Sequence, residues 1–162
     1  MKIFPYDRFK IATMMTPEAI IGLLKAKIEP RKLFRFSSNH TTFEGNISQE
    51  GFEIRRIIHY RNSFLPVIFG KFRPKASGTE VIIKMRPHGF VIAFMCVWFG
   101  GVGLFGFIFF LGVLSGKTSL FPTIFILIGM LVFGWALVSG GFWFEVRKQK
   151  PMLIEMLKDL DG

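Results

Sequence analysis

Residues 89–116 read GFVIAFMCVWFGGVGLFGFIFFLGVLSG, and residues 118–144 read TSLFPTIFILIGMLVFGWALVSGGFWF. Neither stretch contains Asp, Glu, Lys, Arg or His, and the single residue Lys117 separates them. A helix that crosses the hydrocarbon core of a bilayer needs about 20 apolar residues, so each stretch is long enough. The sequence therefore predicts a transmembrane helical hairpin over residues 88–144.

Charge is distributed unevenly around this hairpin. Residues 1–87 contain 16 Lys/Arg and 7 Asp/Glu, whereas residues 145–162 contain four of each sign. Both flanks of the hairpin are basic, and the positive-inside rule then predicts that both termini lie in the cytoplasm. We therefore expect a basic cytosolic domain, the hairpin, and a cytosolic tail. Residues 1–9 contain no apolar signal region, so the hairpin itself is expected to direct insertion.

The first clear element of the N-terminal part is a helix. Thr16 is a good N-cap, Pro17 suits the first helical position, and Glu18 favours the positive end of the helix dipole. The helix is predicted to run from Pro17 to about Ile28, because Pro30 opposes further continuation.

Strands and turns dominate the rest of residues 1–87. Alternation and turn residues predict four strands, at 42–48, 52–60, 64–73 and 79–86. A weak opening strand is also predicted within residues 1–15, and the strand-rich region begins at residues 34–36. Connections this short favour antiparallel neighbours, and Pro66 suggests an edge position or a bulge. The predicted fold class is α+β, with one helix covering one face of an antiparallel sheet, followed by the membrane hairpin.

The tail contains a second amphipathic segment. Leu153, Met156, Leu157 and Leu160 lie at helical spacing. A short helix over residues 151–160 is predicted either to lie on the membrane or to dock on the cytosolic domain. Docking is favoured, since its polar face is both acidic and basic.

The densest polar cluster of the sequence, within residues 55–63, is the best candidate binding site. Arginine offers a planar donor fork that suits phosphate, and Asn and Ser stabilise turns. The alternative is a solvated strand face beside an ordinary turn. Nucleic acid is a disfavoured partner, because the aromatic residues fall at core spacing rather than beside the arginines. The anion-binding candidates are Arg55, Arg56, His59, Arg61, Asn62 and Ser63.

Small residues within the hairpin are candidates for close helix packing. Gly112 and Gly116 form a small-xxx-small pair, and Ala136 and Gly140 offer the same spacing on the second helix. The alternative for Gly116 is a glycine near a helix end with no role in packing. The surrounding GVLSGKT is not a phosphate-binding loop, because three residues separate its glycines where that motif needs four.

Residues with catalytic or metal-binding chemistry are sparse. The three histidines, His40, His59 and His88, are far apart, and Cys96 is the single cysteine, so no metal-ligand spacing is present. The apolar stretches contain no Asp, Glu, Lys, Arg or His, which argues against a carrier or a proton pump. The sequence predicts a non-enzymatic protein without a cofactor or metal.

One part of the chain resembles known proteins. His59-Tyr60-Arg61-Asn62-Ser63-Phe64-Leu65-Pro66, with Gly70, Gly78-Thr79 and Met85-Arg86-Pro87-His88, resembles a set of small uncharacterised bacterial membrane proteins. These have a basic strand-rich domain before a two-helix membrane hairpin. The resemblance covers roughly residues 16–115 and implies the architecture and a location in the bacterial inner membrane.

Two functions are compatible with these patterns. In the first, the cytosolic domain binds a protein partner, an anionic lipid headgroup or a small anionic ligand, with the hairpin as an anchor that can join a homo-oligomer or a larger membrane complex. In the second, the protein is a ligand-gated oligomeric membrane effector or channel component.

Overall fold

A computed structural model of the chain describes residues 4–30, 42–57, 62–116 and 120–158. Six strands and three helices follow one another within these ranges. The order is β1 (Asp7–Thr13), α1 (Pro17–Lys27), β2 (Ile28–Glu29), β3 (Phe43–Ile47), β4 (Gly51–Arg56), β5 (Val67–Lys75), β6 (Gly78–Arg86), α2 (Gly89–Leu114) and α3 (Leu120–Lys158).

The strands form one mixed sheet in the order β1-β6-β5-β4-β3-β2. Strands β3 to β6 form the antiparallel meander that the short turns predict, and β1 pairs antiparallel with β6. The prediction of a wholly antiparallel sheet is wrong for one pair, since β2 runs parallel to β3. The expectation of an edge position or a bulge at Pro66 is also wrong, because β5 begins after this proline, lies centrally and pairs in continuous register with both neighbours.

The core of the sheet domain is closed by two helices from distant parts of the chain. Ile20 and Leu24 of α1 are buried against the sheet. The same buried cluster includes four residues from the second half of α3: Phe142, Val146, Leu153 and Leu157. The expectation of a single covering helix is therefore not confirmed.

Helix α1 begins as its sequence predicts. The Thr16 hydroxyl accepts a hydrogen bond from the Ala19 amide at 3.4 Å, and Pro17 occupies the first turn. Thr16 thereby satisfies one of the amides that a helix start leaves without a partner.

Only Pro87 and His88 separate β6 from α2. His88 is the N-cap of α2, and its Nδ1 accepts a hydrogen bond from the Phe90 amide at 3.2 Å. At the other end of α2, Gly116 has a φ of +67° and its amide donates to the Val113 carbonyl. Gly116 therefore serves as a helix-terminating residue, for which a left-handed glycine is well suited.

Helix α3 is continuous from the second apolar stretch to the tail. The tail helix predicted to start at Pro151 is instead the last part of α3, with Pro151 inside it. Proline lacks the amide that would donate to the Arg147 carbonyl, and the packing of Leu153 and Leu157 on the sheet stabilises the helix beyond that point. Both α2 and α3 contain an apolar segment long enough to cross a membrane.

Helices α2 and α3 contact each other around Trp98. Its indole Nε1 donates to the Met130 carbonyl at 3.3 Å. A Cβ added to Gly134 would lie 2.6 Å from the same nitrogen, and one added to Gly106 would lie 3.5 Å from Leu127. The position of the Trp98 indole against α3 therefore leaves no room for a side chain at position 134.

Candidate anion-binding surface

The structure separates two of the three arginines of the predicted cluster. Arg55 and Arg56 are the last residues of β4 and are half-buried. Adjacent residues of a strand point to opposite faces, so Arg55 lies on the face away from the core and Arg56 on the core side. His59 and Arg61 lie outside the described residues.

Asn62 has a structural role at the boundary between the sheet domain and α3. Its Nδ2 donates to Glu145 Oε1 at 2.7 Å, and its Oδ1 accepts from the Phe64 amide at 3.0 Å. Glu145 is fully buried, and it also accepts from Gln149 Nε2 at 3.4 Å. Ser63, the last member of the predicted cluster, is exposed beside Asn62. The turn residues thus hold α3 against the sheet.

Phe64 makes the same junction by packing. A Cβ added to Gly141 of α3 would lie 2.8 Å from the Phe64 ring, so the ring rests on the bare backbone of the helix. On the other side of the helix, Lys150 Nζ contacts the buried Asp7 carboxylate at 2.8 Å and lies 4.4 Å from the centre of the Phe9 ring. The loop before β5 and the start of β1 therefore both fix the position of α3.

A different group of basic residues shares the sheet face that points away from the core. The register places Arg8 of β1 opposite Lys84 of β6, and Lys84 opposite Phe69 of β5. Lys71 of β5 lies opposite Ile82. The core helices α1 and α3 contact the other face of the sheet. We call this face the basic face; its cations are Arg8, Lys10, Arg55, Lys71, Arg73, Lys75, Lys84 and Arg86.

The middle of the basic face forms a depression of about 750 Å³. Its lining contains four basic and two acidic residues, together with the polar groups of Tyr6, Asn46 and Ser48. The guanidinium of Arg86 lies 4.1 Å from the centre of the Phe69 ring, a cation–π contact that fixes its position. The charged lining residues are Arg8, Glu50, Glu53, Lys71, Lys84 and Arg86.

Glu80 neutralises part of this face away from the depression. Its carboxylate contacts Lys75 Nζ at 2.9 Å and Lys10 Nζ at 3.2 Å. The hydrogen bond from Lys75, followed by that from Lys10, lowers the pKa of Glu80 below its ordinary value. Within the described parts of the chain, Arg8, Lys71 and Lys84 form no such ion pair. These three cations are therefore available to an external anion.

Part of the basic face can be predicted from the sequence. Arg8 and Lys10 alternate with Phe9 and Ile11, and the basic residues of β6 alternate with apolar ones, which signals one polar and one buried face. The pairing of the first strand with the last, however, joins residues more than 60 positions apart and leaves no local signal.

Two of the helix-packing candidates, Gly116 and Gly140, do not lie against the other helix. Nothing lies within 4 Å of a Cβ added to Gly116 or Gly140. Ala136 is exposed, and Gly112 is half-buried. Their role in packing between copies of the chain stays a prediction.

Among the residues that the structure describes, no group of three or more His, Cys, Asp or Glu side chains could hold a metal ion. Comparison with protein-family models, with curated proteins and with solved structures finds no match for this chain.

Proposed function

We propose that this chain is a non-enzymatic bacterial inner-membrane protein whose cytosolic domain binds an acidic partner on the basic face. In this proposal α2 and α3 span the membrane, and both termini are cytoplasmic. The basic flanks of the hairpin support this orientation. The second half of α3 belongs to the core of the sheet domain, which is compatible with both ends of the hairpin on one side.

The observation that carries the proposal is the basic face, which neither α1 nor α3 covers. Among the described residues, its cations Arg8, Lys71 and Lys84 have no ion-pair partner. The cations lie on four neighbouring strands, in the order β1, β6, β5 and β4. Because neighbouring strands lie about 4.8 Å apart, the cations are distributed over roughly 14 Å. This spread suits an extended acidic surface, such as that of a partner protein, better than a single small anion. The exposed Tyr6 and the stacked pair Arg86–Phe69 are residue types enriched at protein interfaces.

Binding is tested by removing charge from the basic face of the full-length protein. We expect the double variant Arg8→Gln/Lys84→Gln to lose most of its affinity for an acidic probe, poly-glutamate, when the protein is held in zwitterionic nanodiscs. The matched control is Lys25→Gln/Lys148→Gln, which removes the same charge elsewhere. Because surface electrostatics are screened by salt, the affinity should also fall with ionic strength.

Equal losses in the two double variants would contradict the proposal, because binding would then follow net charge rather than the basic face. Parallel measurements with inorganic phosphate and with phosphatidylglycerol vesicles separate an acidic protein surface from a small anion or a lipid headgroup.

The orientation has its own test. In a Cys96→Ser background, Ser115→Cys at the tip of the hairpin should react with an impermeant maleimide on intact spheroplasts. Lys71→Cys on the basic face should react only after permeabilisation. The reverse pattern would contradict cytoplasmic termini, and extraction of the protein by carbonate would contradict membrane insertion.

The continuity of α3 favours a second candidate function, a ligand-gated effector or channel component. One helix connects the apolar segment to the core of the sheet domain, so a change in the sheet has a rigid route into the membrane. Conductance across planar bilayers, with and without an acidic ligand, tests this alternative; a silent protein would exclude it.

A further inference from the structure

A groove runs along one side of α3 from its apolar part to its cytosolic part. It has a volume of about 1230 Å³, and its lining extends from Trp135 to Lys158 with Asp7 of β1 alongside. At about 1.5 Å per residue, this stretch of helix is roughly 35 Å long. The groove is therefore elongated, and it follows a side of α3 next to the one that packs on the sheet.

Small and large aromatic residues together line the apolar part of the groove. The small ones are Ala136, Ser139 and Gly140, and the aromatic ones include Trp135 and Trp143. No atom lies within 4 Å of a Cβ added to Gly140. The section from Trp135 to Phe144 is about 14 Å long, which is about half of a hydrocarbon core of about 30 Å. An acyl chain of one leaflet fits this length.

The cytosolic part of the groove contains charged residues, and one positive charge next to the apolar section is not neutralised by an ion pair. Lys150 is bound to Asp7, and Glu155 and Lys158 lie about one and two turns further on. Arg147 is exposed and lies one turn beyond the apolar section. Within the described residues it forms no ion pair.

We propose that this groove binds one anionic phospholipid of the cytoplasmic leaflet, with an acyl chain along Ala136 and Gly140 and the phosphate at Arg147. Arginine binds phosphate through paired hydrogen bonds, and basic pockets at the cytoplasmic side of membrane helices recognise anionic headgroups. Trp143 lies where an interfacial tryptophan is expected. The inference rests on the membrane insertion that the proposed function includes.

The experiment measures lipid retained by the full-length protein. The protein is reconstituted in an equimolar mixture of phosphatidylglycerol and phosphatidylcholine, extracted in mild detergent and analysed by native mass spectrometry. We expect wild type to retain phosphatidylglycerol in preference to phosphatidylcholine. Arg147→Gln should lower this retention by about fivefold, whereas Lys148→Gln, which removes a neighbouring charge that does not line the groove, should leave it unchanged.

A second pair of variants tests the apolar section. Gly140→Leu fills the groove and should abolish retention of the lipid. Gly129→Leu adds the same side chain to α3 at a position with equal free space outside the groove and should have no effect.

Equal retention by Arg147→Gln and Lys148→Gln would overturn the inference, as would equal retention of the two lipids by wild type. So would a change of oligomeric state in Gly140→Leu without a change in lipid, since a second copy of the chain would then occupy the groove. Carbonate extraction keeps the tests apart: an extractable protein refutes the proposed function, whereas an inserted protein that retains no lipid refutes this inference alone.

Discussion

Asn62 is the residue through which the turn before β5 binds α3. Its side chain joins the turn amide of Phe64 to the buried carboxyl of Glu145. A buried polar group that loses its partner costs about 1–3 kcal/mol. The residue that the sequence assigned to anion binding therefore has its hydrogen-bonding groups directed into the protein.

We expect Asn62→Ala to lower the free energy of unfolding by about 1–3 kcal/mol, because the Glu145 carboxyl loses a short hydrogen bond. Ser63→Ala, at the exposed neighbouring position, should change it by less than about 0.5 kcal/mol. Denaturant unfolding in detergent, followed by tryptophan fluorescence, measures both. A neutral Asn62→Ala variant would show that the Glu145 carboxyl is satisfied without Asn62.

Glu80 makes the stability of the sheet domain depend on pH in the acidic range. Its pKa is lowered from about 4.5 by Lys75 and then by Lys10. A group whose pKa is lower in the folded state stabilises that state above its unfolded pKa, and the stabilisation is lost as the pH falls through the folded pKa. This contribution is therefore constant near neutral pH and decreases below about pH 4.5.

Lys75→Gln removes the main cause of the lowered pKa of Glu80. We expect this variant to lose part of the acid-dependent stability between about pH 3 and pH 5. Lys71→Gln, which removes an equal charge from the same strand but does not contact Glu80, should keep the wild-type profile. Thermal unfolding midpoints across that pH range make the comparison; identical profiles for the two variants would contradict the assignment.

At the level of elements, the sequence was most informative where the signal is local. Thr16, Pro17 and Glu18 predicted the start of α1, and alternation with turn residues predicted β3 to β6. The apolar stretches predicted two long helices. The placement of β1 beside β6, the parallel β2–β3 pair and the packing of α3 on the sheet depend on long-range contacts, which periodicity does not encode.

The distinction between local spacing and long-range contacts also explains which glycines of the hairpin were predicted to pack. Spacing alone selected Gly112, Gly116, Ala136 and Gly140, because small residues four apart allow close helix approach. The contact between α2 and α3 instead depends on which face of each helix meets the other, and spacing within one helix does not determine that face. Gly134 is the glycine that meets Trp98.

We expect Gly134→Ala to destabilise the hairpin by about 1–3 kcal/mol, the usual effect of overpacking, because the new methyl group overlaps the Trp98 indole. Gly129→Ala, where space is free, should be neutral or slightly stabilising, since alanine favours helix. Thermal unfolding in detergent compares them. Adding Trp98→Leu to Gly134→Ala should restore part of the loss; the absence of any rescue would place the effect elsewhere.

At the scale of the whole molecule, α3 joins the two parts that composition separates. The division at residues 87 and 144 follows charge and hydropathy, yet Phe142, Val146, Leu153 and Leu157 complete the core of the sheet domain. The sequence signal for this was the apolar spacing of the tail, which allowed docking but did not identify the surface that receives it. The sheet and the tail therefore share one hydrophobic core.

A substitution near the end of α3 tests whether the sheet depends on this helix for its stability. Leu153 is fully buried, so Leu153→Ala should remove about 2–5 kcal/mol of stability, and the loss should appear as faster amide exchange in β5 and β6, more than 60 residues earlier in the chain. Met152→Ala, at an exposed adjacent position, is the control and should leave exchange in the sheet unchanged. If Leu153→Ala increased exchange only within the tail, the sheet domain would be stable without α3. The tail would then be a separate element, as its composition alone suggests.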